Sequence, residues 1–472
     1  MTVSDEKIRE LSALELGARI GAGVITSTAV VEAHLRRIAA VNPELNAITC
    51  TLDESALEAA AAADSRIAGG AARGPLDGVP FTSKENIDCI GAATTEGLVV
   101  LAGNRPVVDA PVVERMRAAG AIPIARTNMP DLGLRVHTDN ALHGPTLNPW
   151  NPTITCGGSS GGEGVAVATG MSPMGIGNDI GGSLRNPAYC SGIVAHKPTP
   201  HRLPRAASTP PTSWGPAKQF MSVNGPMTRT VADAHAMFEI MHGRHTRDPW
   251  SVTTAFRERH EIERPRIAVM ARPPGGSTDD DIATGVLDAA DRLARRGYDV
   301  VEAAPPDVDD VARTWMEWLG GELDSRRAVI DDLLAPDARR VLDLMHEMVG
   351  SQDLDMTIDA VTRRHAHAQA WNGFFAETPV LLAPVWTTPP FTIGADTENR
   401  QSVERIFEAL RVIVAPNVLG LPATAVPIGT SNEAIPLGVQ IISTQHADDV
   451  CLAVAADLEE EIGPITPIDP KA

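Results

Sequence analysis

The hydrophobic and polar positions of the first 70 residues recur at the spacing of amphipathic helices. Ser12 is the type of residue that begins a helix, and either Ser27 or Thr28 can begin the next one. The apolar face of that second helix comprises Val30, Val31, His34, Leu35 and Ile38. An alanine-rich helix is predicted over residues 54–68. We therefore expect a helical segment over residues 1–70 that serves packing.

After residue 74, short apolar runs alternate with amphipathic segments, which is typical of an α/β fold. The run from Val79 to Ser83 predicts a strand, and residues 121–127 predict another, after a helix that ends at Gly120. Later in the chain the pattern predicts a strand-helix-strand unit over 266–303, mostly helix over 305–375, a buried strand over 379–386, two loop-strand pairs over 415–443 and a closing helix over 448–462.

The stretch from Gly157 to Gly192 contains eleven of the chain's 40 glycines in 36 residues. Three serines within it, Ser159, Ser160 and Ser183, each adjoin a glycine. Glycine loses much chain entropy on folding, so this density is expected where backbone amides approach a reacting group or the chain turns through positive φ. The stretch therefore predicts an active-site cradle.

A lysine follows the predicted strand over 79–83. Lys84 in this position can be a solvated surface residue. Alternatively it is buried, in which case desolvation lowers its pKa and the neutral amine can act as a base near neutral pH. The residues alone leave both interpretations open.

Two motif interpretations compete at the glycine-rich stretch. Residues 157–161, GGSSG, match the G-x-S-x-G nucleophile elbow of α/β-hydrolases, which would make Ser159 the nucleophile. This motif fixes three residues of five, so a match to it occurs easily by chance in any glycine-rich loop. The competing interpretation uses four longer blocks in order: GVPFTSKENID at 78–88, GGSSGGEG at 157–164, GNDIGGSLRNPA at 177–188 and HKPT at 196–199.

These four blocks resemble the amidase signature family of Ser-cisSer-Lys hydrolases. Ser159 and Ser183 are 24 residues apart, which is the family's separation between its bridging serine and its nucleophile. The resemblance spans nearly the whole chain and is strongest from 74 to 233. It implies a single α/β/α domain around a mixed, twisted sheet, with a core over 74–233 and a variable, mostly helical substrate-side region over 245–400.

The resemblance assigns a catalytic role to three residues. Ser183 would be the nucleophile that forms an acyl-enzyme, and Ser159, expected in a cis peptide linkage, would relay its proton. Lys84, neutral in the resting enzyme, would accept that proton and return it to the leaving amine. The chemistry is sound because a serine hydroxyl is a poor nucleophile until a base takes its proton, and a desolvated lysine can be that base.

Backbone amides around the proposed nucleophile can stabilise the oxyanion, since two of the residues there have no Cβ. The expected donors are the N–H groups of Ile180, Gly181, Gly182 and Ser183. The resemblance also implies a supporting role for Ser160, Asp179 and Arg185. The alternative for these three is local turn capping and a surface ion pair.

The loop over residues 127–152 is rich in Pro, Asn and Gly and is longer than a simple connection, so we expect it to be functional. In the family it borders the acyl pocket, where small residues are usual and this chain has Leu134 and Arg135. Arg135 could pair with a substrate carboxylate or could point to solvent. The substrate-binding candidates are Gly133, Leu134, Arg135 and His137.

Charge and composition exclude several function classes. A net charge of −20 disfavours binding to nucleic acid or to an anionic membrane. Five scattered cysteines, a polar N-terminus and the lack of a long apolar run indicate a cytoplasmic protein with reduced thiols. His365 and His367 are two residues apart in a predicted helix and cannot share a face as metal ligands. We expect neither metal nor cofactor.

The sequence thus predicts an amidase that hydrolyses a small carboxamide, or an ester, through a Ser183 acyl-enzyme. Three alternatives remain: an esterase that uses Ser159, the glutaminase component of a tRNA-dependent amidotransferase, and a binding protein on the same scaffold. The acidic charge argues against tRNA contact, and Glu163 favours the branch that resembles fatty-acid amide hydrolase. The sequence does not identify the amide, and it leaves open whether the chain forms a homodimer.

Overall fold

The computed structural model describes residues 4–209, 212 and 214–471. Within these residues, eleven strands form one mixed sheet in the order β1-β3-β2-β4-β6-β5-β10-β11-β9-β7-β8. The strands are β1 (Ile48–Thr51), β2 (Pro80–Lys84), β3 (Ile122–Thr127), β4 (Met174–Asp179), β5 (Val194–Lys197), β6 (Val223–Thr228), β7 (Ile267–Val269), β8 (Val300–Glu302), β9 (Val380–Pro384), β10 (Ala423–Thr430) and β11 (Pro436–Ser443). The mixed sheet expected from the sequence is confirmed.

Helices surround this sheet. In chain order they are α1 (Asp5–Glu10), α2 (Ala13–Gly21), α3 (Ser27–Leu45), α4 (Asp53–Ala68), α5 (Pro111–Ala118), α6 (Gly161–Ala168), α7 (Arg185–Ser191), α8 (Pro216–Met221), α9 (Val231–Met241), α10 (Asp280–Arg295), α11 (Val308–Asp324), α12 (Arg327–Asp331), α13 (Pro336–Val349), α14 (Leu354–Glu377), α15 (Ala395–Glu398), α16 (Arg400–Ala409), α17 (Ala415–Val418) and α18 (Asp448–Ile462). No helix among the described residues is long and apolar enough to cross a membrane.

Both faces of the sheet are covered, as β9 illustrates. Successive side chains of a strand point to opposite faces. Val380 and Leu382 pack in the apolar cluster that contains residues of α10 and α18. Leu381 and Ala383 pack in the cluster that contains tryptophans of α11 and α14. A strand that is buried on both sides reads as a continuous apolar run, which is why the sequence VLLAP predicted it.

The predicted caps are partly confirmed. Ser12 caps α2, and its side chain and that of Glu15 form a reciprocal capping box. The cap of α3 is Thr26, not Ser27 or Thr28, because the Thr26 hydroxyl accepts the N–H of Ala29.

The division of the chain at 1–70, 74–233 and 245–400 stays a prediction, and all three segments contribute strands to the one sheet.

The arrangement of three strands brings distant parts of the chain together. Strand β2 pairs in parallel with both β3 and β4. Their carboxyl ends therefore meet at the same edge of the sheet, where ligand sites of α/β proteins commonly form. Lys84 is the last residue of β2, and Asp179 is the last residue of β4.

Candidate active site

Lys84 is completely buried at this edge, so the surface interpretation is wrong. Its Nζ donates to Ser159 Oγ at 2.6 Å and to Asn178 Oδ1 at 2.8 Å. Desolvation lowers the pKa of Lys84 from 10.5 to about 7, although the nearby carboxylates of Glu96, Asp179 and Glu163 oppose this shift. In a large fraction of the molecules, the Lys84 amine is therefore neutral at physiological pH. The neutral amine is the state that can act as a base.

Ser159 lies in a tightly packed turn directly before α6. The Gly158–Ser159 peptide bond is cis, as the resemblance predicts. Glycine is required at Gly158, since a Cβ there would come within 2.8 Å of the Arg135 carbonyl oxygen. A Cβ on Gly133, which has a φ of +72°, would lie 3.2 Å from Ser159 Oγ. The small residues at these positions allow the loop of Gly133 to pass close to the serine.

Ser183 follows a turn whose glycines have no room for side chains. A Cβ on Gly181 would lie 2.3 Å from the ring of Trp315, and one on Gly182 would lie 2.6 Å from Ile413. The Trp315 indole N–H donates to the Ile180 carbonyl oxygen at 2.8 Å. The Ser183 carbonyl oxygen accepts the Ser160 N–H at 3.2 Å, which joins this turn to the turn of Ser159.

A buried ion pair between Asp179 and Arg185 supports the turn that leads to Ser183. The Asp179 carboxylate accepts the backbone N–H of Gly182 at 2.7 Å and that of Leu184 at 3.1 Å. It also pairs with Arg185, and both side chains are fully buried. These charges and hydrogen bonds outweigh desolvation and lower the pKa of Asp179 to about 2. The alternative of a surface ion pair is therefore wrong.

The same contacts correct one detail of the predicted oxyanion hole. Because the Gly182 N–H donates to Asp179, it does not point at a substrate carbonyl. The sequence could not reveal this, since a glycine gives no sign of where its amide points. The predicted donors that remain are the amides of Ile180, Gly181 and Ser183.

Asn178 is a site residue that sequence reasoning missed. Its Oδ1 accepts from Lys84 Nζ, and its Nδ2 donates to Asn86 Oδ1 at 2.6 Å. The Ser160 hydroxyl donates to the Asn178 carbonyl oxygen at 3.2 Å. An amide oxygen that accepts one amine hydrogen fixes the orientation of the remaining amine valences. Its position in the GNDIGGS block, directly before Asp179, was the available signal.

Glu163, considered in the sequence only as a branch marker, lies beneath the site in α6. Its carboxyl group is buried and accepts hydrogen bonds from Thr82 and from Thr127 Oγ1, the latter at 2.8 Å. Burial raises the pKa of Glu163 to about 7. The Thr82 contact fixes α6 against strand β2, two residues before Lys84.

The structure gives Arg135 a different environment from either sequence interpretation. The side chain is buried, and its guanidinium pairs with Asp396 at 2.9 and 3.2 Å and with Asp139 at 3.3 Å. Arg135 therefore does not point to solvent. Its three nitrogens already bind carboxylates of the protein, so we do not retain it as a ligand for a substrate carboxylate.

The other three candidates of this loop are also near the site, but in different ways. Gly133 faces Ser159, and Leu134 packs in an apolar cluster with residues of α13. The His137 ring is buried, its Nδ1 lies 3.0 Å from Thr155 Oγ1, and desolvation lowers its pKa. These contacts hold the loop in place.

The part of the chain that the structure describes contains no group of three or more His, Cys, Asp or Glu side chains that could hold a metal ion.

Comparison with known proteins agrees with this geometry. The sequence profile of the amidase family matches residues 29–452. The chain belongs to the amidase family. This match confirms the prediction, made from the sequence, that the protein is an enzyme of the class that hydrolyses amide C–N bonds.

Three relatives illustrate the range of this amidase family. Indoleacetamide hydrolase of Bradyrhizobium diazoefficiens is 39% identical over 96% of this chain and 86% of its own length. One component of the glutamyl-tRNA(Gln) amidotransferase of Acidothermus cellulolyticus is 32% identical over 95% of this chain and 94% of its own. The structure of 6-aminohexanoate cyclic dimer hydrolase complexed with substrate superimposes with a TM-score of 0.83 at 28% identity, and covers 96% of this chain and 98% of that one.

Proposed function

We propose that this amidase hydrolyses a carboxamide through an acyl-enzyme on Ser183, with Ser159 as the proton relay and Lys84 as the base. The observation that carries the proposal is the 2.6 Å contact between Lys84 Nζ and Ser159 Oγ, made by a lysine whose pKa is about 7. A neutral amine there can accept the Ser159 proton while it still donates to Asn178 Oδ1. Histidine is not required for this chemistry.

In the acylation step, Ser183 Oγ attacks the amide carbonyl carbon. Its proton passes to Ser159 Oγ, and the Ser159 proton passes to Lys84 Nζ. When the C–N bond breaks, the proton returns through Ser159 to the leaving nitrogen, which departs as ammonia or an amine. In deacylation, water loses a proton along the same path and attacks the ester carbon, and the acid product leaves as Ser183 regains its proton.

The amides of Ile180, Gly181 and Ser183 are proposed to stabilise the oxyanion in both steps. One such donor contributes about 2.7–4 kcal/mol to transition-state stabilisation. The orientation of these N–H groups depends on the conformation of the turn. Asp179 fixes that conformation by accepting the Gly182 and Leu184 amides. The role of the buried ion pair is thus to position the donors before the substrate arrives.

For the substrate, we propose a primary amide whose acyl part carries an aromatic ring. The support is the 39% identity to an indoleacetamide hydrolase over 96% of this chain. The aromatic and aliphatic side chains of α11 beside the oxyanion turn suit an apolar acyl group. Hydrolysis of an ester, formation of a homodimer and a cytoplasmic location stay predictions from the sequence.

The test measures ammonia release from indole-3-acetamide, from simple aliphatic amides and from glutamine. We expect hydrolysis of the aromatic amide, and a loss of at least about 10³-fold in kcat for Ser183→Ala and Lys84→Met. Lys197→Met is the matched control: Lys197 is equally buried with a pKa of about 7, but its Nζ donates to the carbonyl oxygens of Pro198 and Leu421 and to no other group among the described residues. Turnover that survives Ser183→Ala and Lys84→Met would refute the mechanism.

Hydrolysis of glutamine alone, together with co-purification of partner proteins, would instead favour the glutaminase alternative. That outcome would leave the proposed triad intact and would change only the substrate. The relatives of the amidotransferase type keep this alternative open.

A further inference from the structure

One side chain outside the glycine-rich stretch contacts the turn over residues 180–183 directly. The Trp315 indole N–H donates to the Ile180 carbonyl oxygen at 2.8 Å. The same ring lies against Gly181, since a Cβ on that glycine would overlap Trp315 Cζ2. Trp315 lies in α11 and is 135 residues from Ile180 along the chain. The indole therefore contacts the peptide unit between Ile180 and Gly181 at two points.

This peptide unit carries one of the proposed oxyanion donors, the Gly181 N–H. Its bond is trans, because the two cis bonds of the described residues lie elsewhere in the chain. In a trans peptide the C=O and the N–H point in opposite directions. When the indole fixes the direction of the Ile180 carbonyl oxygen, it therefore also fixes the direction of the Gly181 N–H, which points away from the indole nitrogen.

The hydrogen bonds of Asp179 do not reach this peptide unit. Asp179 accepts the N–H groups of Gly182 and Leu184, which belong to later peptide units of the turn. Among the described residues, the Ile180 carbonyl oxygen accepts a hydrogen bond from Trp315 alone. The Gly181 N–H donates to no group of the described chain, which leaves it available to a substrate oxygen.

The indole is itself fixed by packing. Trp315 is 6% exposed, and its ring centroid lies 6.5 Å from that of Phe407 in α16. It belongs to the same buried apolar cluster as Trp318 of its own helix and Ile413, which lies against Gly182. A side chain packed in this way keeps one rotamer, so its N–H is in place before a substrate binds.

We infer that Trp315 is a positioning residue for the oxyanion hole, because its indole N–H holds the Ile180–Gly181 peptide with the Gly181 N–H directed at the tetrahedral intermediate. Without this bond the peptide can rotate and turn its carbonyl oxygen, instead of its N–H, toward the developing negative charge. The inference rests on the proposed function, since it requires an oxyanion formed by attack of Ser183. It adds α11 to the elements that prepare the site for catalysis.

The first experiment removes the indole N–H. Trp315→Phe keeps an aromatic ring beside Gly181 but cannot donate to the Ile180 carbonyl oxygen. For the amide that the unmodified enzyme hydrolyses fastest in the panel above, kcat should fall about five- to tenfold, the effect of one net hydrogen bond. KM should stay within twofold, because the donor acts on charge that develops only in the transition state. A kcat within twofold of the original would overturn the inference.

The matched control is Trp371→Phe. Trp371 is 1% exposed, and its indole N–H also donates to a backbone carbonyl oxygen at 2.8 Å, that of Pro306. This change removes the same kind of hydrogen bond at a carbonyl outside the turn, so kcat should stay within twofold. An equal fall of kcat in Trp371→Phe and Trp315→Phe would contradict a specific role of Trp315.

The second experiment measures the oxyanion hole itself with a trifluoromethyl ketone, in which CF3 replaces the NH2 group of the same amide. Ser183 Oγ bonds to the ketone carbon, and the electrons of the C=O π bond become a lone pair on the oxyanion. The Ser183 proton passes through Ser159 to Lys84. In Trp315→Phe the Ki of this ketone should rise by the same factor as kcat falls. A lower kcat with an unchanged Ki would show that Trp315 does not act through the oxyanion.

A second variant serves if Trp315→Phe does not fold. It has 3-benzothienylalanine in place of Trp315, which keeps the shape of the indole and has sulfur in place of the N–H. Its kcat should fall and its ketone Ki should rise by the same five- to tenfold factor of about one hydrogen bond. Unchanged values would overturn the inference.

The two proposals fail separately. If kcat and Ki are unchanged in both variants of Trp315 while Ser183→Ala loses turnover, the role of Trp315 is refuted and the Ser183 chemistry stands. If Ser183→Ala retains full turnover of every amide, the proposed function itself fails, and the role of Trp315 fails with it.

Discussion

Acidification should remove activity by protonating Lys84. With a pKa of about 7, the neutral fraction is about nine-tenths at pH 8, about one-tenth at pH 6 and about one-hundredth at pH 5. An unperturbed lysine with a pKa of 10.5 would be neutral in only about three molecules per thousand at pH 8. Burial thus supplies a base that is roughly 300 times more available, and kcat/KM should fall about tenfold per pH unit below pH 6.

A charge change should move this acid limb in a known direction. Among the charged groups, Glu96 contributes most to raising the Lys84 pKa against desolvation. Glu96→Gln removes a negative charge that stabilises the ammonium form. The Lys84 pKa should then fall further, and the acid limb of the pH profile should move to lower pH.

The assay is the pH dependence of kcat/KM for one amide from pH 5 to 9, measured for the unmodified enzyme, for Glu96→Gln and for Glu263→Gln. Glu263 is exposed and serves as the control for loss of a carboxylate. A flat profile would refute Lys84 as the base. So would an acid limb that moves to higher pH in Glu96→Gln.

Three further changes test the surroundings of the site. Gly181→Ala should reduce kcat about 10²-fold, because its Cβ would come within 2.3 Å of the Trp315 ring and displace an oxyanion donor; a rate within twofold of the original would contradict this. Asp396→Asn leaves the buried Arg135 with a lost partner and should lower the free energy of unfolding by about 3 kcal/mol, seen as a lower urea midpoint; an unchanged midpoint would argue against the pair. Glu163 has a folded pKa raised from 4.5 to about 7, so its stabilising contribution is complete below pH 4.5 and is lost as pH rises through 7. Between pH 5 and 9 the original should lose about 3 kcal/mol relative to Glu163→Gln, and a parallel pH dependence of the two urea midpoints would refute that assignment.

Much of the fold was predictable because its signals are local. A strand buried on both faces, such as β9, is a continuous apolar run, and a helix that starts at Ser12 carries its own cap and capping box. The alternation of such runs with amphipathic helices indicates a sheet covered on both sides. The parallel pairing of β2 with β3 and β4 is not local, and only the structure shows that it brings Lys84 beside Ser159.

The parts of the site that sequence reasoning missed depend on long-range contacts. Arg135 and Asp396 are 261 residues apart, so nothing near Arg135 in the sequence identifies its partner. The Gly182 amide is aimed by Asp179 through a turn geometry that composition does not reveal. Asn178 was overlooked because an asparagine at a strand end has no pattern of its own, although it contacts the proposed base directly.

Identification of the nucleophilic residue tests the central claim most directly. The enzyme would be treated with a fluorophosphonate, digested, and the adduct mapped by mass spectrometry, with Lys84→Met as the control for a base that activates the nucleophile. The proposed mechanism predicts a single adduct on Ser183, formed much more slowly in Lys84→Met. An adduct on Ser159 would contradict the mechanism and would support the nucleophile-elbow alternative.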